Sequence, residues 1–338
     1  MNIPCGTQDV NEPSPKALST RGVIMKIILT DAKTVTQGDL SLEPLKEFGE
    51  VIVHELTVFE NIAETVRDAD MIICNKTPLN AETLRYADHL KYIGLFATGY
   101  NNIDTEYCSA HGITVCNAGS YSTDAVCQHT FALIPECMNR AGSYNRFVHD
   151  GGWKNSKTFS PFVFPLNEIS CKTLGIIGYG SIGKAVERVA LAFNMKTLKV
   201  RRHGETDPSF VDLDTLLRES DIVTVHCPLN DSSYRMIDRK AIAKMKDGAI
   251  FINTARGGVM DEGAVAEALK SGKLSYAGID VLETEPMAKD CVLCDIDNCI
   301  ITPHIAWAPM ETRVRLMGIV CDNIRAFLSG DPKNVVNK

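Results

Sequence analysis

The most constraining stretch of the chain is residues 172–193, "KTLGIIGYGSIGKAVERVALAF". An apolar run from Leu174 to Ile177 meets the pattern Gly178-x-Gly180-x-x-Gly183, and Ile182, Val186, Val189, Ala190 and Phe193 then recur at helical spacing. A strand that turns on glycines directly into a helix fits this order. Gly178 permits the tight turn, Gly180 lets the backbone approach a pyrophosphate, and Gly183 brings helix and strand together. Free N–H groups at Ser181 and Ile182 set the positive end of the helix dipole against phosphate. The stretch is expected to be the βαβ start of a dinucleotide-binding domain, with a tight glycine turn that holds no ligand as the alternative.

The next strand-like run, "KTLKV", leads into Arg201 and Arg202. In a dinucleotide-binding unit this place belongs to the acid that holds the ribose 2′-hydroxyl. A guanidinium offers only donors, so it cannot accept from that hydroxyl. It can grip a 2′-phosphate in two-point fashion. The expected cofactor is therefore NADP(H) in preference to NAD(H). Solvated loop arginines beside bound NAD(H) are the alternative.

With 338 residues the chain exceeds one comfortable core, so two domains are expected. A composition 45% hydrophobic and 23% charged argues against disorder. The net charge of -7 leaves no electrostatic footprint for nucleic acid. No apolar run reaches the length of a membrane span. Residues 1–24 are polar and Pro-bearing, lack the apolar core of a signal peptide, and read as an unstructured tail or mis-start. A cytoplasmic location and reduced thiols are expected for the 12 cysteines. Cys291, Cys294, Cys299 and His304 have a spacing that could ligate zinc. Because "CIITPH" reads as a buried strand, no metal site is expected there.

Short apolar strands alternate with helical patterns along the whole chain: "KIILT", "MIIC", "YIGLFA" and "ITVCN", then "TLGIIG", "TLKV", "DIVTVHC", "GAIFINT", "YAGIDV" and "CIITPH". Continuous apolar runs between helices mark parallel strands buried on both faces. Helices are predicted over 81–93, 123–141, 181–194, 262–272 and 309–330, and a seam falls near 117–125. The predicted fold class is α/β, with two Rossmann-like doubly wound parallel-sheet domains and a cleft between them. Residues 25–122 plus 308–338 form a discontinuous, flavodoxin-like, substrate-binding domain, and 123–307 form the dinucleotide-binding domain.

Three strand ends in the second half carry chemistry. "GAIFINTARGG" runs into Arg256, "YAGIDVLETEP" reaches Asp280 and then Glu285, and "CIITPH" ends at His304. Ligands of open parallel sheets sit beyond the carboxyl ends of the strands. Reducing a carbonyl by hydride transfer needs a proton donor, and histidine suits neutral pH. A neighbouring carboxylate orients its ring, and an arginine grips a substrate carboxylate while polarising the carbonyl. Taken singly, each has a bland use as an ion pair, a loop charge or a strand-end cap; the three together favour the catalytic reading.

The stretches "NEISCKTLGIIGYGSIGKAV", "NTARGGVMDEGAVAEAL", "AGIDVLETEP" and "ITPHIAW" resemble, in order and spacing, the D-isomer-specific 2-hydroxyacid dehydrogenase family. The resemblance is greatest to its glycerate dehydrogenase/hydroxypyruvate reductase group and spans residues 25–330. It implies that Arg256 binds the 2-oxo acid, His304 is the acid/base, and Glu285 is its partner. Asp280 would accept from the nicotinamide carboxamide, Thr254 and Ala255 would meet the nicotinamide ribose, and Pro228 would lie under the adenine ribose. Through "FATGYNNID", backbone N–H groups at Gly99 and Tyr100 would meet the substrate carboxylate, with Lys76 adding positive charge. It also implies a homodimer, for which residues 149–170 are a candidate arm.

Two positions depart from the family pattern. Arg201 stands where NAD-using members have an acid. Gln128 stands where many have Glu and is expected to affect packing alone. A small 2-oxo acid is the expected substrate, either hydroxypyruvate/glyoxylate or a bulkier one such as phenylpyruvate. The rival class is a non-enzymatic dinucleotide sensor of the corepressor kind.

Overall fold

The computed structural model describes residues 24–200 and 206–338. Chain contacts divide it into two compact units: Ser122–Pro309, and the residues on either side of it, up to Tyr121 and from Met310 onward. Most of the segment read as a tail, and both Arg201 and Arg202, lie outside the described residues.

The first unit is built on β1 (Lys26–Leu29), β2 (Glu50–Val53), β3 (Met71–Cys74), β4 (Tyr92–Leu95) and β5 (Thr114–Cys116), with short helices α1 (Ile62–Thr65) and α2 (Thr105–Ala110). All neighbours are parallel, in the order β2-β1-β3-β4-β5. The apolar runs of β3 and β4 are buried at every position, as strands covered on both faces must be. Ile28, Ile72, Ile93 and Val115 meet Ile62, Leu84 and Cys108 in one core.

The helix predicted over 81–93 does not form: residues 81–86 are turns, and β4 begins at Tyr92. Its buried residues Leu84, Ala87 and Leu90 recur every third position, and Ala87 N and Leu90 N bond three residues back, to the carbonyls of Leu84 and Ala87. That spacing belongs to tight turns rather than to a helix of 3.6 residues per turn.

The second unit begins with α3 (Thr123–Asn139) and α4 (Ala141–His149). One helix to residue 141 was predicted; instead Arg140 takes a left-handed φ of 55° and the chain restarts as α4. Then come β6 (Thr173–Ile177), α5 (Ser181–Ala192), β7 (Lys196–Val200), β8 (Phe210–Val211), α6 (Leu213–Glu219), β9 (Ile222–Val225) and α7 (Arg239–Lys244). β10 (Ala249–Asn253), α8 (Glu262–Ser271), β11 (Leu274–Ile279) and β12 (Cys299–Ile301) complete it. The sheet is parallel throughout, in the order β12-β11-β10-β9-β6-β7-β8.

Strand alternation gives this sheet two separate cores. On one face Ile176, Ile250 and Ile252 pack with Leu133, Ile134 and Val186 of α3 and α5. On the other, Val223, Phe251 and Ile279 pack with Leu216, Ile242 and Val265 of α6, α7 and α8. Each such fully buried side chain stabilises the fold by about 2 kcal/mol. Asp212, Asp238 and Asp261 cap the starts of α6, α7 and α8 through their carboxylates, and Gly272 ends α8 at φ 78°.

The final helix, α9 (Met310–Leu328), returns to the first unit. Phe327 meets Tyr92 ring to ring at 4.9 Å, and Asn323 Nδ2 donates to Asn117 O at 2.8 Å. Among the described residues no helix is long and apolar enough to cross a membrane.

Candidate active site

The strand order of the second unit reverses direction at β6, which has β7 on one side and β9 on the other. Beyond those strand ends lies the glycine turn. Gly178 has φ 94°, and a Cβ there would come within 2.4 Å of Cys227 N. A Cβ on Gly183 would come within 2.4 Å of Gly178 O, so helix and turn touch through backbone. Gly180 differs: a Cβ there meets nothing within 4 Å. That open approach, at the N-terminus of α5 with Ser181 and Ile182 in its first turn, is the space a pyrophosphate needs. Tyr179 donates its hydroxyl to Glu187 of α5, which also accepts from Thr197 at 2.9 Å and Lys199 Nζ at 2.7 Å. The turn, its helix and the strand leading to Arg201 thus share one carboxylate.

His226, at the end of β9, lies against the same turn, its N–H donating to Ile177 O at 2.7 Å. Its Nε2 bonds Thr224 Oγ1 at 3.0 Å, while its Nδ1 is out of solvent with no partner. Burial pushes this imidazole down to about 3, so it is neutral at working pH. An enclosed turn, an open Gly180 and an unpartnered ring nitrogen beside them fit a bound dinucleotide. Pro228, next in the same loop, is exposed, and its carbonyl accepts from Ser233 Oγ at 2.7 Å.

Arg256, Asp280, Glu285 and His304 follow the adjacent strands β10, β11 and β12. Arg256 Nη1 donates to Ala255 O at 2.7 Å; among the described residues its guanidinium has no other partner. The Asn253 side chain fixes this loop, donating to Arg256 O at 2.9 Å and accepting from Ala255 N at 3.0 Å. A Cβ on Gly257 would fall 1.9 Å from Leu282 C, so this loop lies directly against the one leading to Glu285.

His304 Nδ1 lies 2.7 Å from Glu285 Oε2. A carboxylate can only accept, so Nδ1 carries the proton of this bond and Nε2 is the atom left for substrate. Glu285 is itself held by Leu282 N, which donates to Oε1 at 3.0 Å. The two side chains are 23% and 33% exposed, open enough to meet a small molecule.

His304 has φ 54°, in the left-handed region. Asp280 holds it there. Its carbonyl accepts from His304 N at 2.8 Å, and its carboxylate accepts from Thr302 Oγ1 at 2.6 Å and from Ile305 N and Ala306 N at 2.9 Å each. Burial raises the pKa of this carboxyl, but the bonds from His129, Thr302, Ala306 and Ile305 outweigh it and hold the group below its usual range. The Asp280 side chain is fully enclosed. These bonds make Asp280 the organiser of the turn that carries His304.

Two residues of α3 were not picked out from the sequence. His129 Nε2 lies 2.9 Å from Thr302 Oγ1, and Thr130 Oγ1 lies 3.1 Å from Thr254 Oγ1. Their signal was a run of three polar residues, Gln128, His129 and Thr130, between the apolar stretches of α3. Gln128 beside them is exposed.

In the first unit, the Asp31 carboxylate beyond β1 accepts from the N–H groups of Asn75, Lys76 and Thr77 beyond β3, at 2.6–3.1 Å. This buried anchor for the Lys76 loop joins residues more than 40 positions apart and has no local sequence signal. Asn102 Nδ2 ties the loop after β4 to the same segment, donating to Thr77 O at 2.8 Å. Gly99 is half-buried and Tyr100 exposed, and among the described residues their N–H groups form no hydrogen bond.

Among the described residues no three His, Cys, Asp or Glu side chains are grouped as metal ligands would be. Burial pushes the Cys299 thiol up to about 12, away from the thiolate that zinc requires.

Residues 131–306 match the model of the D-isomer specific 2-hydroxyacid dehydrogenase, NAD binding domain. The chain is 40% identical over 322 residues to the hydroxypyruvate reductase of Blautia hydrogenotrophica, covering 93% of this chain and all of that one. The chain belongs to the D-isomer-specific 2-hydroxyacid dehydrogenase family. It is also 40% identical over 279 residues to the glycerate dehydrogenase of Methylorubrum extorquens, covering 82% of this chain and 88% of that one. Among solved structures it is similar to an acyclic imino acid reductase in complex with NADPH and D-Arg, with a TM-score of 0.81 and 30% identity over 92% of this chain and 100% of that one. As a D-2-hydroxyacid dehydrogenase, the protein uses a nicotinamide dinucleotide, and the glycine turn with its open Gly180 is the part of the chain that fits one.

Proposed function

We propose that this dehydrogenase reduces hydroxypyruvate or glyoxylate to D-glycerate or glycolate, reversibly, with NADPH in preference to NADH. The observation that carries the reading is the 2.7 Å bond between His304 Nδ1 and Glu285, which joins the ends of β12 and β11, the latter beside the β10 that leads to Arg256. The relatives named for hydroxypyruvate and glycerate support the substrate class.

The bound dinucleotide supplies the hydride. Arg256 grips the substrate carboxylate through its unshared donors and polarises the 2-oxo group. His304 Nε2 gives its proton to the carbonyl oxygen as that oxygen gains charge, and Glu285 keeps Nδ1–H directed and balances the imidazolium. Within the first unit, Gly99 and Tyr100 N–H groups and Lys76 are candidate carboxylate donors, and the Asp31 anchor fixes the Lys76 backbone. Gly178, Gly180, Ser181, Ile182 and Gly183 hold the pyrophosphate; Thr254, Ala255 and Pro228 line the ribose sides. Arg201 and Arg202 take the 2′-phosphate, and the likeness to a reductase solved with NADPH supports that choice. The protein acts in the cytoplasm as a homodimer.

The test is a panel of hydroxypyruvate, glyoxylate and phenylpyruvate, each with NADH and NADPH. Hydroxypyruvate with NADPH is expected to give the highest kcat/KM, and Arg201→Asp to reverse the cofactor preference. Turnover with none of the three acids would favour the dinucleotide sensor. An unchanged preference in Arg201→Asp would remove the 2′-phosphate role and leave the dehydrogenase.

A further inference from the structure

Both loops that bear the reactive side chains begin with a threonine two residues upstream: Thr254 before Arg256, and Thr302 before His304. Consecutive residues of α3 reach those two threonines. Thr130 Oγ1 lies 3.1 Å from Thr254 Oγ1, and His129 Nε2 lies 2.9 Å from Thr302 Oγ1 and 3.3 Å from Asp280 Oδ1.

The direction of each bond follows from which protons are already used. Thr130 gives its hydroxyl proton to Val126 O at 2.8 Å. It can therefore only accept from Thr254. Thr302 gives its proton to Asp280 Oδ1 at 2.6 Å, so it accepts from His129 Nε2–H. The result is two one-way chains, Thr254 to Thr130 to the helix backbone, and His129 to Thr302 to Asp280. The second ends on the carboxylate that also holds Ile305 N and Ala306 N, which flank the left-handed His304.

We propose that His129 and Thr130 form a double latch by which one helix sets both catalytic loops, His129 positioning His304 and Thr130 positioning Arg256. Thr130, Thr254 and Asp280 are buried and His129 half-buried, so these bonds run in surroundings where water does not substitute freely for a lost partner. Neither α3 residue needs to touch substrate. Each acts through a threonine whose own loop carries the reacting group, so the two latches should separate in kinetics. The inference rests on the roles given above to Arg256 and His304.

The test uses the full-length protein with His129→Phe, Thr130→Val, Thr302→Val and Thr302→Ser. Hydrogen exchange by mass spectrometry is followed over 302–306 and 254–258, alongside kcat, KM for hydroxypyruvate, NADPH affinity by fluorescence and the melting midpoint. His129→Phe is expected to speed exchange over 302–306 alone and to lower kcat about tenfold with KM within twofold. Thr302→Val should reproduce it, Thr302→Ser should restore the wild-type values, and combining His129→Phe with Thr302→Val should add little. Thr130→Val is expected to speed exchange over 254–258 alone and to raise KM several-fold with kcat nearly unchanged.

Unchanged exchange in both α3 variants overturns the latch. So does a loss in which each variant moves kcat, KM and exchange of both loops together, in step with its melting midpoint. Exchange needs no turnover, so a wild-type protein inactive on every 2-oxo acid would overturn the functional reading and still leave the latch to be decided by exchange.

Discussion

Gly180 separates binding from folding more cleanly than any other residue of the glycine turn. Its φ of -90° suits any residue, and a Cβ there meets nothing within 4 Å. Gly180→Ala should therefore cost the ligand-free protein no more than about 1 kcal/mol, the usual loss for alanine at a helix N-cap. The added methyl fills the approach the pyrophosphate needs, so affinity for NADPH should fall about tenfold or more by fluorescence titration. A large fall in the melting midpoint with affinity kept would show that Gly180 serves the fold instead. At this scale the strand ends that lead to Arg256, Glu285 and His304 were legible because apolar runs mark them, and the bond that joins His304 to Glu285 is what the fold adds. The hold of Asp280 on the His304 turn was not legible, because it depends on N–H groups that only the folded backbone places. His129, Thr130 and Asp31 were invisible for the same reason, since each acts across 40 or more residues of sequence.

At the scale of elements, long apolar strands and capped helices were readable because burial on both faces leaves a continuous apolar run. The helix predicted over 81–93 failed because a three-residue spacing of Leu84, Ala87 and Leu90 resembles a helical stripe over so short a stretch. α4 was missed because its nine residues bury none of their side chains and so carry no core-facing stripe. The segment after α4 exposes Trp153, Phe159, Phe162 and Leu166, with Phe159 91% and Phe162 81% accessible. Exposed apolar patches larger than a few hundred Å² mark interaction surfaces. If a second copy of the chain covers them, the protein should sediment at twice the chain mass, and Phe159→Glu with Phe162→Glu should return it to the mass of one chain. A monomeric wild-type protein at micromolar concentration would refute the dimer.

For the molecule as a whole, pH bears on stability through His226. Its imidazole is pushed down to about 3 in the fold, whereas in the unfolded chain it takes up a proton near 6.5. Between those values the unfolded state binds more protons, so stability falls as pH falls through this window. The loss from this group should reach about 2 kcal/mol at pH 5. Denaturant unfolding at pH 7.5 and 5.0 should show a smaller difference for His226→Asn than for the wild type; equal differences would mean that the ring is not held neutral.

The parallel sheets, the glycine turn and the bonded His304–Glu285 pair support the proposal that His304 is the acid at a strand end of the dinucleotide-binding unit. The most direct test is His304→Ala, measured for both turnover and binding. Turnover of hydroxypyruvate should fall by roughly 10²–10⁴-fold, while NADPH binds with a Kd within about threefold of the wild type. Reduction at a near wild-type rate would contradict the account.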